Sequence, residues 1–271
     1  MQQAERTGLF SDFTVFLWLL KLGAVINLYF LANTLGPASG ADPHIVIPAQ
    51  ILFAVSAYRC LFPNRYKDNV VFHDSRLSSI FVTRVLATFV EVAYIYQFSH
   101  VLRLLNVDHV GWVNALSWVM VAQVVVSQGF VWGAIAAERL IFYYYEELGW
   151  GVIFVANTIA SAYLYATVDA GAGQSLLQLN LIFGAFYLPW QLIHVRALRA
   201  DARASGEGEE PAAPLTWGLL AKGLSGAIHE RNRQTGAEAW GGSVGLVWMV
   251  AYWATLIPMW VHHIVGVFAA R

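Results

Sequence analysis

Charged residues are scarce in this chain of 271 residues. They make up 12% of the sequence, whereas hydrophobic residues make up 58%. Soluble globular domains carry about 25% charged and about 45–50% apolar residues, so the composition argues against a soluble all-α protein. The formal net charge is −1, and no cluster of lysines and arginines resembles the basic footprint of a nucleic-acid-binding protein. We therefore expect a membrane protein with no nucleic-acid partner.

Cysteine is nearly absent as well, because the chain contains only Cys60. A single thiol excludes an intrachain disulfide and any zinc or iron–sulfur site built from several cysteines. The histidines occur without an HExxH motif and without the histidine boxes of membrane di-iron enzymes. No metal site is therefore predicted, and the identity of any cofactor stays open. The remaining candidate ligands for a haem or a metal ion are His100, His194, His262 and His263.

The apolar residues fall in long runs that organise the whole chain. A helix needs about 20 apolar residues to cross the hydrocarbon core of a bilayer. Seven runs approach or exceed that length, at 9–35, 45–62, 79–105, 110–136, 141–168, 176–198 and 240–269. They predict an all-α fold: a polytopic integral membrane helical bundle of about seven transmembrane helices, forming one domain over residues 1–271. Pro258 predicts a kink in the last helix, because proline cannot donate the helical hydrogen bond.

The segment 199–239, between the last two runs, divides into two parts. Its first part, 199–214, contains Ser-Gly-Glu-Gly-Glu-Glu-Pro and is typical of a solvated linker. In the second part, 215–233, apolar residues recur at helical spacing, namely Trp217, Leu220, Leu224 and Ile228. This pattern predicts one cytoplasmic amphipathic helix that lies in the headgroup plane of the membrane.

Lysines and arginines gather on one side of the predicted bundle. With seven spans, the other side receives only Arg103 and Arg271. Because basic residues are enriched in cytoplasmic loops, we expect the N-terminus in the cytoplasm and the C-terminus outside, in a bacterial plasma membrane. The basic side holds Arg6, Arg59, Arg65, Lys67, Arg76, Arg139, Arg196, Arg199, Arg203, Lys222, Arg231 and Arg233.

The third run carries Arg84 and Glu91, although ionisable side chains are costly inside a bilayer and normally face the interior of a bundle. Because they are seven residues apart, both lie on the same face of a helix, and we expect both to point inward. At a rise of about 1.5 Å per residue, Lys21 of the first run reaches the same depth as Glu91. A buried charge needs a partner, so the sequence predicts an ion pair between Lys21 and Glu91.

A second tier of ionisable residues lies closer to the basic side. The predicted catalytic residues are Arg84, Glu91, Glu146 and Glu147, since a guanidinium binds anions and a desolvated carboxylate transfers protons. Trp150 and Asn157 share a helix face with Glu146 and are predicted to bind the substrate. Basic residues that can hold an anionic headgroup complete the predicted substrate-binding set: Arg59, Arg65, Lys67, Arg76 and, at greater depth, Lys21.

This pattern of charges is compatible with several functions. The leading hypothesis is a site near the cytoplasmic leaflet that binds a lipid or an isoprenoid, with acid–base isomerisation as its enzymatic version. The alternatives are an accessory subunit of a larger membrane complex, a transporter, and a haem- or metal-binding membrane protein. Ion pairs that only fix helix packing would leave the same pattern. The expected partners are membrane lipids, a lipid-soluble small molecule, and further copies of the chain or other subunits.

Overall fold

The computed structural model describes residues 13–36, 41–169, 171–207 and 214–269. Its helices are α1 (Phe13–Thr34), α2 (Pro43–Leu61), α3 (Ile80–Leu105), α4 (Gly111–Ala137), α5 (Ile141–Thr167), α6 (Gln174–Ala204), α7 (Trp217–His229), α8 (Gly242–Trp253) and α9 (Leu256–Ala269). Seven segments are long and apolar enough to cross a membrane, the seventh being α8 and α9 together. The predicted all-α, multi-pass bundle is therefore confirmed. Residues 9–12 of the first predicted span, Arg6, Arg271 and the part 208–213 of the linker lie outside the described residues.

The helices pack in a simple order. Consecutive helices from α1 to α6 contact one another, while α8 and α9 return to α1 and α2. Between them lies a core of buried apolar side chains that includes Leu52, Ile95 and Ile153. This order leaves α6 facing α8 across the interior of the bundle, where a cavity lies.

The seventh span is interrupted rather than merely kinked. Its first helix ends at Trp253 and the second begins at Leu256, because Pro258 has no N–H to donate to the carbonyl group four residues earlier. Asn27 of α1, which is fully buried, donates from Nδ2 to the carbonyl oxygen of Trp253 at 2.9 Å. A side chain of a neighbouring helix thus satisfies a carbonyl group at the break, as membrane helices require.

Three connections gather at one end of the bundle, which we call the basic end. The loop between α2 and α3 forms the strands β1 (Asn64–Arg65) and β2 (Val70–Val71), and β2 pairs with β3 (Asn232–Arg233), which follows α7. The Glu207 carboxylate accepts hydrogen bonds from the backbone N–H groups of Leu140 (3.0 Å) and Ile141 (2.9 Å). These contacts join the loops of the basic end into one layer that covers the ends of the helices. Strands of two residues leave no recognisable period in the sequence, and none was predicted.

The predicted amphipathic helix is present as α7, and its boundaries are narrower than expected. Helix α6 also continues to Ala204, so the linker is shorter than the predicted 199–214. Gly223 packs so closely against the Ala136 carbonyl group of α4 that a β-carbon would collide with it. The buried residues Gly223, Gly226 and Ala227 therefore form the packing face of α7, and Trp217, which is 87% exposed, stays on the outside.

Candidate functional site

A cavity of about 400 Å³ lies inside the basic half of the bundle, bordered by α3, α5, α6, α8 and the loop after α2. It extends from Lys67 and Asp201 at the basic end to Phe154 and Ile257 near the middle of the bundle. Most of its lining is apolar and aromatic. The ionisable residues that border it are Arg59, Arg65, Lys67, Arg84, Glu91, Glu146, Glu147, His194 and Asp201.

Arg84 and Glu91 meet on α3 as the sequence predicts. Arg84 Nη2 lies 2.8 Å from Glu91 Oε2, and both side chains are buried. Gln128 of α4 joins the pair, because it accepts a hydrogen bond from Arg84 and donates one to Glu91 Oε2 at 3.0 Å. The amide on α4 thus holds the ion pair in one orientation at the inner wall of the cavity. The polar residue Gln128, within an apolar run, was the available signal for this contact.

Lys21 does not pair with Glu91, so that prediction was wrong. Its side chain is exposed on the outer face of α1, with the ammonium group 4.5 Å from the centre of the Trp18 ring. Equal depth in a bilayer does not fix the direction in which a helix face points. A lysine on the outer face extends its charge along the helix towards the interface instead.

Arg59 stands at the end of α2, where the chain turns into the first strand. Its guanidinium group donates to the side chain of Asn64 and to the Asn64 backbone oxygen at 3.3 Å. It also lies 5.5 Å from the ring centre of Tyr66 and 5.0 Å from that of Trp253. Asn64 in turn donates to Thr83 Oγ1 of α3 at 2.7 Å. Arg59 is therefore held rigidly at the edge of the cavity.

Two further cations border the mouth of the cavity. Arg65 donates from Nη1 to the Ala239 carbonyl oxygen at 2.9 Å, and Lys67 is exposed. Among the described residues, neither these two nor Arg59 forms an ion pair with a carboxylate. We call Arg59, Arg65 and Lys67 the basic trio.

The two predicted carboxylates of α5 both border the cavity, but they are held differently. Glu147 Oε2 accepts a hydrogen bond from Gln191 of α6 at 2.8 Å, and its Oε1 lies 3.8 Å from His194 Nε2. Glu146 forms no ion pair within the described part of the chain, although it faces the same space as Arg84. Glu146 is therefore held by the side chain of Trp150 rather than by an ion pair.

Aromatic rings form the deeper wall of the cavity. Trp150 of α5, which was predicted to bind the substrate, stacks 6.1 Å from Tyr94 of α3. The hydroxyl groups of Tyr94 and Tyr252 are 2.8 Å apart and connect α3 to α8. Trp190 of α6 and Trp248 of α8 stack with ring centres 4.8 Å apart and an angle of 21° between the rings. Of this last pair, Trp248 borders the cavity and Trp190 does not, and their stacking connects α6 to α8.

Two other predicted substrate-binding residues lie away from the cavity, as Lys21 does. Arg76 is exposed in a short turn before α3 and does not border the cavity. Asn157 is fully buried between α5 and α6, where its Oδ1 accepts a hydrogen bond from Asn180 at 3.3 Å. Asn157 thus satisfies a neighbouring amide instead of facing open space.

The histidine candidates are dispersed across the molecule. His194 borders the cavity, whereas His100 pairs with Asp42 at 2.7 Å, His262 stacks on Phe30 at 4.0 Å, and His263 lies 2.9 Å from Ser175 Oγ. The structure does not bring His100 together with His262 or His263. Within residues 13–36, 41–169, 171–207 and 214–269, no group of three or more His, Cys, Asp or Glu has the arrangement of a metal site.

Asp42 at the opposite end of the bundle lies just before α2, outside the spans. Burial raises the pKa of its carboxyl group, but hydrogen bonds from the side chain of His100 and the backbone N–H of His44 have the larger combined effect and lower that pKa. The same carboxylate accepts the His44 N–H at 2.8 Å as the N-cap of α2. Asp42 therefore has a structural role at a distance from the cavity.

Comparisons with protein-family models, with curated proteins and with solved structures found no match for this chain. Its function is therefore inferred from the chemistry of the cavity.

Proposed function

We propose that this multi-pass membrane protein binds an amphipathic, lipid-soluble molecule with an anionic head in the cavity of its basic half. One observation supports this most directly: a basic trio that has no ion-pair partner among the described residues stands at the mouth of a cavity whose deeper walls are aromatic. Ligand cavities typically combine a predominantly apolar lining with a few polar groups that orient the ligand.

The basic trio supports binding of the head. Arg59 is buried and is held by Asn64, so little conformational freedom is lost when it binds an anion. Guanidinium groups present paired donors that match the oxygen atoms of a carboxylate or a phosphate. Arg84, by contrast, is already neutralised by Glu91, and we assign it to the wall rather than to the head-binding group.

The aromatic wall supports binding of the apolar part. Trp150, Phe154 and Tyr187 continue inward from the basic trio, with ring centres of Phe154 and Tyr187 4.7 Å apart. Such rings present large apolar surfaces at fixed positions. A ligand with a charged head and a hydrocarbon tail would satisfy both parts of the cavity at once.

Acid–base catalysis is the second function that we propose, and the position of the Glu146 carboxylate beside the cavity favours it. A general acid or base must reach the reacting group of the ligand, and Glu146 borders the cavity about one helical turn before Trp150 on α5. The residue is not tied into an ion pair as Glu91 is. Isomerisation of an unsaturated tail by proton transfer is the reaction class that fits this placement.

We also propose that the basic end faces the cytoplasm, because lysines and arginines concentrate in its loops. The head of the ligand would then lie at the level of the inner leaflet. Labelling of single cysteines, placed in exposed loops at each end, with an impermeant reagent on sealed cells tests this orientation. Labelling of the basic-end position in intact cells would contradict it.

Lipid extraction and native mass spectrometry of the purified protein test the binding function. Wild type is expected to retain an anionic amphiphile, and the double variant Arg65→Gln, Lys67→Gln to lose most of it. Arg76→Gln is the matched control, because Arg76 belongs to the same loop but does not border the cavity. Equal retention by all three proteins, or no bound amphiphile in wild type after supply of anionic lipids, would contradict the proposal. Copurification of other proteins at fixed stoichiometry would instead favour the subunit hypothesis.

A further inference from the structure

We infer that the cavity takes an amphiphile with one hydrocarbon chain and a phosphate monoester head, and that the stacked indoles of Trp190 and Trp248 exclude lipids with two chains. This inference rests on the proposed function, because it names the class of anionic amphiphile that the same cavity binds. Three features carry it: the size of the cavity, the closure of its side wall, and the charge at its mouth.

The volume of the cavity suits one chain. Ligand cavities typically measure about 300–1,000 Å³, so the cavity of about 400 Å³ is at the small end of that range. Its lining on α5 runs from Leu140 to Phe154, which is about 20 Å of helix. A small cavity of this length is narrow, which suits one extended hydrocarbon chain better than two chains side by side.

The side wall between α6 and α8 would have to open for a second chain to remain in the bilayer. Elsewhere α5 packs directly against α6, and α8 contacts α1 and α2. Between α6 and α8 the Trp190 and Trp248 rings stack with centres 4.8 Å apart, and Trp248 also stacks on Tyr187 at 6.3 Å. Trp248 borders the cavity and is 39% exposed in all. Its ring contacts with Trp190 and Tyr187 therefore span the gap between α6 and α8.

The charge at the mouth favours phosphate over carboxylate. The basic trio contributes three positive charges, and Asp201 at the same end contributes one negative charge, which leaves a net charge of about +2. A phosphate monoester carries about −1.5 to −2 charges at pH 7, whereas a carboxylate carries one. Glu146 and Glu147 border the cavity on a different element, α5, and Glu147 is bound to Gln191. Inorganic phosphate shares the head chemistry but cannot use the aromatic wall, so the two sources of phosphate are separable by experiment.

The experiment compares two lipids that differ only in the second chain. Palmitoyl lysophosphatidic acid and dipalmitoyl phosphatidic acid are titrated against the detergent-solubilised full chain, and dissociation constants are measured by native mass spectrometry. We expect at least tenfold tighter binding of the single-chain lipid. Monopalmitoyl glycerol, which lacks the phosphate, should bind at least tenfold more weakly than lysophosphatidic acid, and inorganic phosphate alone should not displace the bound lipid.

Variants at the side wall test the role of the indoles. Trp248→Ala opens the wall and should reduce the preference for one chain to less than threefold; Trp190→Ala provides an independent opening if the first variant fails to fold. Phe186→Ala is the control, because Phe186 is on α6 but is 77% exposed on its outer side, and its preference should equal that of wild type.

The possible failures are distinguishable. Phosphatidic acid that binds wild type as tightly as lysophosphatidic acid overturns the inference and leaves the proposed function standing. A preference for one chain that persists in both tryptophan variants overturns the role of the indoles. Displacement of lysophosphatidic acid by inorganic phosphate overturns the contribution of the aromatic wall, and equal binding of monopalmitoyl glycerol overturns the assignment of the head. Absence of binding by every amphiphile overturns the proposed function as well.

Discussion

Both halves of the bundle contain polar side chains, but their surroundings differ. At the opposite end, Asp42 is bonded to His100 just before α2, and Asn180 donates to Ser161 Oγ at 2.8 Å and to Asn157 between closely packed helices. At the basic end, the basic trio and Glu146 border a cavity and lack ion-pair partners among the described residues. Polar groups that satisfy one another stabilise a fold, whereas polar groups beside open space can bind a ligand. The position of a polar residue in a membrane helix alone does not separate the two cases.

The largest expected effect concerns the buried ion pair between Arg84 and Glu91. Its two charges satisfy each other, as the polar groups of the opposite half do. Arg84→Ala leaves Glu91 buried without its ion-pair partner, which is expected to cost about 3–5 kcal/mol of folding free energy. Thermal unfolding of the detergent-solubilised protein measures the loss. The double variant Arg84→Met, Glu91→Leu removes both charges and should recover much of it. An unfolding temperature of Arg84→Ala equal to that of wild type would show that the pair does not stabilise the fold.

A satisfied amide group of the opposite half should affect stability and not ligand binding. Asn180→Ala removes the donor to Ser161 and Asn157 inside closely packed helices, and such a loss costs about 1–3 kcal/mol. Unfolding and lipid-binding measurements on the same variant check both statements. A variant of unchanged stability that no longer binds the lipid would contradict the division between the two halves.

The two neighbouring carboxylates of α5 allow the same comparison between a satisfied and an available polar group within the cavity. Glu147→Gln weakens the contacts with Gln191 and His194 and is expected to cost about 1 kcal/mol. Glu146→Gln breaks no ion pair and should leave the unfolding temperature unchanged or higher. If a turnover assay with a bound unsaturated lipid is established, Glu146→Gln should reduce its rate by at least 100-fold, within the range for loss of a general acid or base. Equal effects of both variants on stability and rate would contradict the distinction.

The smallest expected effect depends on pH. The pKa of Asp42 is lower in the folded protein than its ordinary value near 3.9, so its contribution to stability is present above about pH 4 and is lost as the pH falls through the folded pKa. The contribution of such a partly exposed pair is below about 1 kcal/mol. Unfolding curves of wild type and Asp42→Asn should therefore differ at pH 7 and converge in acid. A stability difference between the two proteins that grows as the pH falls would contradict this prediction.

Much of the architecture was predictable from the sequence, because long apolar runs have few alternatives in a bilayer. The inward direction of Arg84 and Glu91 followed from their spacing on one helix. The partner of Lys21 did not, because depth leaves the rotation of each helix undetermined. Arg76 and Arg65 were indistinguishable in sequence, since the loop that separates them is folded by contacts with residues far along the chain, such as Ala239.

The surroundings of the basic trio could not be predicted from the sequence either. The charge of its members predicted that they bind an anion, but whether a carboxylate lies beside them depends on which helices surround them. The position of Asn157 outside the cavity was not predictable for a related reason, because the sequence does not reveal that Asn180 lies beside it.

A density map of the wild-type protein prepared with lysophosphatidic acid tests the central claim most directly. The account predicts density for the phosphate within hydrogen-bonding distance of Arg65 and Lys67, with the chain extending past Trp150 into the cavity. An empty cavity at saturating lipid, or lipid bound only on the outer faces of the helices, would contradict it.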